Sequence, residues 1–167
     1  MRISTAACAG FVLALSTACA PKPPAAPDAA AIKAAIEAQE AMFLPVMAKK
    51  DVAGLVAMFT KDAVWIENDA ATYRGTAEIE KGAKGLFDAL DAITPGTTTL
   101  DQLVVVSDSE AVTFSHLTYS MTLKGKKTAE DHINPFADHW KKESDGVWRI
   151  SYEINADGVV PQAPAKK

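Results

Sequence analysis

The chain is predicted to be an α+β domain, with helices in its first half and a meander of antiparallel strands in its second. Three observations carry this. Apolar residues recur at helical spacing as far as Leu90, as in Ile79, Ala83, Leu86 and Phe87. From Thr97 onward, long runs rich in Val, Thr, Phe and Tyr read as strands. Within the first half, Asp51–Asp69 (DVAGLVAMFTKDAVWIEND) reads as a capped helix, an Asp-Ala break and a strand that carries Glu67 just past Trp65. Helices followed by strands imply one curved sheet with helices segregated to one face.

The elements follow in order. Asp28 caps a first helix over Ala29–Lys49, with Ile32, Ile36, Phe43 and Met47 on one face. Pro45 removes a backbone donor, so a kink or break is expected near Leu44. Asp51 caps a second helix with Val52, Leu55, Val56 and Phe59 inward, ended by Lys61-Asp62-Ala63. Val64–Glu67 is a short strand, followed by turns at Asn68-Asp69 and Tyr73-Arg74-Gly75. Thr76 caps a third helix, with Glu78 and Glu80 near its positive end. Thr94-Pro95-Gly96 closes the helical half. Four strands are then expected: Thr97–Ser107, Ala111–Lys124, Thr128–Lys142 and Val147–Asn155. Ser144-Asp145-Gly146 is a hairpin signal, and Pro135 marks an edge or a bulge.

A chain of 167 residues is long enough for one domain with a real core. A net charge of −4 with no basic block gives no electrostatic reason to bind nucleic acid. Arg2 followed by the nearly uncharged run from Ile3 to Ala20 reads as an export signal, residues 1–18. Leu15-Ser16-Thr17-Ala18-Cys19 resembles a bacterial lipobox, which would lipidate Cys19; Ala18-Cys19-Ala20 also satisfies a cleavage site that would release a soluble protein. Residues 19–29 are Pro/Ala-rich and suit an extended tether. The expectation is a periplasmic protein anchored to the membrane through its lipid alone, with a soluble exported form as the alternative. Residues 30–156 form the domain, and residues 157–167 a disordered tail. Both cysteines, Cys8 and Cys19, precede the domain, which therefore has no thiol for a disulfide, a zinc site or a nucleophile.

The order of three segments resembles the nuclear transport factor 2-like superfamily, in its SnoaL-like and ketosteroid-isomerase-like branches. These are Asp51–Glu67, the helix entry Gly75-Thr76-Ala77-Glu78-Ile79, and Trp140-Lys141-Lys142 through Asp145-Gly146-Val147-Trp148-Arg149-Ile150. The resemblance covers about residues 30–156. It implies three N-terminal helices packed on a strongly curved antiparallel sheet, a conical pocket, no cofactor, and a homodimer formed through the exposed sheet face. Ketosteroid isomerases of this fold place a carboxylate base after the second helix, and a Tyr and a protonated Asp in the oxyanion hole. The base position falls on Glu67, the Tyr position on Phe43, which has no donor, and the third group near Phe136 or Asp138. Each lost oxyanion donor costs about 10²–10³-fold in rate, so the pattern argues against steroid isomerisation.

The candidate catalytic residues are Glu67, His116, His132 and Asp138. Glu67 reads either as a general base in an apolar pocket or as a strand-end carboxylate paired with Arg74. His116 shares a strand face with Val112, Phe114 and Thr118; His132 shares one with Asn134, Phe136, Asp138 and Trp140. Were both faces to line the pocket, these groups would converge with Glu67 to move protons. No H-x-H or HExxH spacing occurs, so no metal is expected. Phe43, Trp65, Tyr73, Tyr119, Phe136 and Trp140 are the candidate pocket residues. Three functions follow: binding of a small apolar or amphipathic molecule in the cell envelope, a cofactor-independent isomerase, cyclase or dehydratase with Glu67 as base, or a protein-interaction module.

Overall fold

The computed structural model describes residues 26–156 together with 158–159. The predicted signal, Cys19 and the tether as far as residue 25 lie outside the described residues. Helix α1 spans Ala29–Ala48, and the Asp28 carboxylate caps it by accepting the Ala31 N–H at 3.1 Å. It buries Ile32, Ile36, Glu40, Leu44 and Met47. Of the kink or break expected near Leu44, the break does not occur, since α1 runs on through Pro45 to Ala48. Pro45 sits in the last turn, so little helix remains beyond the bond it removes.

Asp51 caps α2 through the Gly54 N–H at 2.9 Å, but α2 covers only Val52–Ala57. Strand β1 takes over at Phe59–Ile66, earlier than the sequence predicts. Pairing decides this: Phe59 is buried opposite Ile150, and the Ile150 N–H donates to the Met58 carbonyl at 2.8 Å. Strand β2, Thr72–Arg74, folds back on β1. Helix α3 covers Gly75–Ala89, one residue ahead of the predicted cap. Glu78 serves there instead, accepting the Arg74 N–H at 2.7 Å.

Strand β3 runs from Leu90 to Ser107, through the Thr94-Pro95-Gly96 segment expected to be a loop. It is an edge strand, and its pairing with β4 is irregular between Pro95 and Thr98, where a proline is tolerated. Gly96 lies so close to β4 that a Cβ there would stand 2.3 Å from the Thr118 carbonyl oxygen. Strands β4 (Glu110–Leu123), β5 (Glu130–Lys142) and β6 (Trp148–Asn155) complete the main sheet. Its order is β2-β1-β6-β5-β4-β3, and β1 runs parallel to β6. The sheet is therefore mixed, not purely antiparallel. Two helices precede it and α3 follows its first two strands, so the helices are not all N-terminal. A further short strand, β7 (Gly158–Val159), pairs with β5 in a segment expected to be tail.

The core sits between the helices and one sheet face, around Ile36, Leu55, Trp65, Ile79, Trp140 and Ile150. The other face exposes Val104, Phe114, Tyr152 and Ile154.

Candidate active site

A bulge sets up the site. Trp140 pairs with Ile150 and His139 with Tyr152, so Ser151 is an extra residue in β6. Before it, Trp148 and Ile150 face inward; after it, Glu153 and Asn155 do, while Tyr152 and Ile154 turn outward. Glu153 then lies in one cross-strand row with Trp65 on β1, Asp138 on β5 and Thr113 on β4. Glu40 from α1 closes over this row, accepting the Ser115 hydroxyl at 2.9 Å.

Three carboxyls thus meet under the helices, and each is at most 4% exposed. They line a small void of about 10 Å³, room for roughly one water. Burial pushes Asp138 well above the usual carboxylate range, with the charges of Glu153 and Glu40 adding to it. Burial likewise raises Glu153 to about 7, opposed by the Asn155 amide, which donates to it at 2.6 Å. The Trp65 indole N–H lowers it a little further, although it stands outside hydrogen-bond geometry. Burial raises Glu40, against the Ser115 and Thr113 hydroxyls. Three acids in one dry site cannot all ionise, so the cluster holds protons, and Asp138 is the group that keeps one. Among the described residues no group of three such side chains is placed to hold a metal ion.

Next to this floor lies a cavity of about 160 Å³. Phe43, Leu117 and Asn155 form the wall shared by both spaces. The cavity is mostly apolar, with Trp65, Leu86, Ile93 and Met121 on its sides. Its polar groups are Glu67, Asn68, Tyr119, Asn134 and Asn155. Half-buried Glu67 also borders an open groove with Tyr73 and Gly82, which marks the mouth.

The structure divides the sequence-derived candidates. Phe43, Trp65, Tyr119 and Glu67 line the cavity. Phe136, Trp140 and Asp138 line the smaller void beside it. Tyr73 packs on Trp65 with ring centroids 5.4 Å apart and lines the outer groove only. His132 is buried and stacked on Tyr119 at 5.2 Å, but borders a separate hollow beside Pro95 and Gly96. His116 lies on the outer sheet face, its Nδ1 2.7 Å from Asp101, and does not join the others. The faces of His116 and His132 are opposite: inward positions on β4 are Thr113, Ser115 and Leu117.

Sequence reasoning missed Glu40, Glu153, Asn134 and Asn155. Glu40 carried a signal, since it continues the Ile32–Ile36 spacing of four along a buried stripe. Glu153 carried none, because unbroken alternation from Ile150 puts it outside.

A mixed sheet with helices on one face, bordering a cavity with a carboxylate at its mouth and buried carboxyls beside its inner end, defines an α+β pocket domain. Residues 40–150 match the family model of the SnoaL-like domain, and the chain belongs to that family. No curated protein matches it in sequence. Among solved structures it is similar to a hexachlorocyclohexane dehydrochlorinase, LinA-type3, from Novosphingobium barchaimii: 18% identity, TM-score 0.69, 81% of this chain and 92% of that one. It is also similar to a ketosteroid isomerase-like protein from Erwinia carotovora atroseptica: 17%, 0.66, 77% and 96%. A cystatin-like domain of unknown function from Nostoc punctiforme gives 19%, 0.59, 75% and 76%. At these identities the likeness concerns the fold.

Proposed function

We propose that this domain binds one small, largely apolar molecule of about single-ring size. The observation that carries this is the cavity of about 160 Å³, apolar on its sides and polar at its ends. An apolar cavity of about 150 Å³ takes up benzene, which sets the size of the guest. On this reading the cavity is the narrow remnant of the conical pocket of the superfamily, with the sheet curved around it. The Leu15–Cys19 lipobox supports an envelope location, with soluble release as the alternative. The apolar outer face around Phe114, Tyr152 and Ile154 supports a homodimer. Binding is tested by titrating benzene while following methionine methyl resonances. Met47 and Met121 line the cavity and should shift saturably, while exposed Met42 stays fixed. No shift at millimolar benzene would overturn the reading.

A second reading, proton transfer in an isomerase or dehydratase, is favoured by one observation. Glu67 opens onto the same cavity and is placed to take a proton from a guest within it. The dehydrochlorinase and isomerase-like structural neighbours are compatible with it. His116 has no part in this chemistry, and His132 lies behind Tyr119.

A further inference from the structure

The open groove and the cavity meet along three shared residues, Glu67, Asn68 and Leu86. Helix α3 lines the groove with Lys81, Gly82, Gly85 and Leu86, while the turn after β1 and strand β2 supply Asn68, Asp69 and Tyr73. Gly82, Gly85 and Leu86 stand at i, i+3 and i+4, so they share one face of α3. Two glycines on that face call for a reason, because only proline is less favourable inside a helix.

The two glycines differ in that reason. A Cβ on Gly82 would stand 2.8 Å from the Tyr73 ring, so this position is bare to let Tyr73 lie against the helix while it packs on Trp65. A Cβ on Gly85 would meet nothing within 4 Å. Gly85 is exposed and lies inside α3, and its backbone is not among those with positive φ. Neither packing nor backbone geometry therefore requires a glycine at this position. The space it leaves is the remaining reason. A side chain at 85 would lean back toward the start of α3, over Lys81 and Gly82, and so into the groove beside Leu86.

We propose that guests enter and leave the cavity across Gly85, so that the residue at this position sets how fast they exchange. This deepens the binding reading above and rests on it. Gly85 lines the groove and not the cavity, so it takes no part in holding the bound guest. Filling the position slows entry and exit together and leaves the affinity nearly unchanged. Tyr73, seated on Gly82, forms part of the groove wall, and Leu86 stands where the groove gives way to the cavity.

The test follows benzene exchange through the line shapes of the Met47 and Met121 methyl resonances. In Gly85→Leu, exchange should slow by about 10-fold while the dissociation constant stays within about three-fold of wild type. An unchanged exchange rate in the folded variant places the passage elsewhere and overturns the proposal. A fall in affinity without slower exchange makes Gly85 part of the binding surface, and also overturns it. Lys84→Leu is the control, since Lys84 is exposed on α3 and lines neither space. Equal slowing there would sink the assignment to Gly85. Gly85→Ala should raise the urea midpoint, because its Cβ has room and alanine is the better helix former. A lowered midpoint would mean that the glycine serves packing, against the proposal. Should Gly85→Leu not fold, Gly85→Met is read in the same way. If the wild-type protein takes up no benzene, the pocket reading itself fails and the passage falls with it.

Discussion

At the floor of the site, Glu40, Asp138 and Glu153 are buried around a small void with room for about one water. At the mouth, Glu67 stands half-buried where the cavity meets an open groove. The functional group is the same at both ends and its surroundings differ. Without solvent or a cation, the floor carboxyls are forced to keep protons, and they shape the site through what they accept or donate. The mouth carboxylate borders both the cavity and the open groove. On the proposed reading the buried acids act as architecture, and Glu67 is the carboxylate at the mouth.

Three measurements would break or sharpen this contrast. The largest effect is expected from Trp140→Ala, which opens the wall of the floor. Trp140 is fully buried and its Nε1 donates to Thr113 Oγ1 at 2.9 Å. The loss should be about 3–5 kcal/mol, read from urea denaturation. Retention of wild-type stability would mean that the floor is not a packed unit.

The next effect depends on pH. Glu153 rises from 4.5 to about 7 on folding, so its burial is tolerated fully below 4.5. As pH climbs through about 7, ionisation in the folded state becomes costly and stability falls. The urea midpoint should be higher at about pH 5 than at about pH 8, a difference of roughly 3 kcal/mol from this group. In Glu153→Gln the slope should flatten. A midpoint that rises over the same range would show that the floor is not closed to solvent.

The smallest effect belongs to the mouth. Glu67→Gln should change stability by no more than about 0.5 kcal/mol, as at other partly exposed positions. Any consequence should appear in turnover of a guest, if the domain is an enzyme. A large loss of stability would move Glu67 from the chemical to the structural side of the comparison.

The sequence made the mouth more legible than the floor. Helical spacing, the Asp28 and Asp51 caps and the long second-half strands all persist in the structure. Their limits shift where long-range pairing overrides local preference, as when β6 draws Phe59 out of α2. Glu67 was found because it follows a recognisable helix-to-strand corner. Asp138 was found on a strand whose alternation is unbroken from His132 to Trp140. Glu153 was hidden by a single extra residue, Ser151, which reverses the faces of everything after it. His116 failed for the related reason that alternation groups residues on a face without saying which face is inside. Glu40 was overlooked because an acid on an apolar stripe reads as surface until its Ser115 and Thr113 partners, far along the chain, are in place.

The parallel pairing of β1 with β6 has a consequence for how the molecule is made. The first long strand finds its parallel neighbour only when almost the whole domain exists, so the closing contact spans a very long loop. Such non-local closure slows folding. A nascent chain carries Glu40 and Glu67 well before β6 arrives to complete the walls around them. Glu153 and Asn155 arrive on β6, so a chain cut short before it lacks one carboxyl of the floor and the amide that donates to it. Binding competence should then appear in one late step, together with burial of Trp65 against β6.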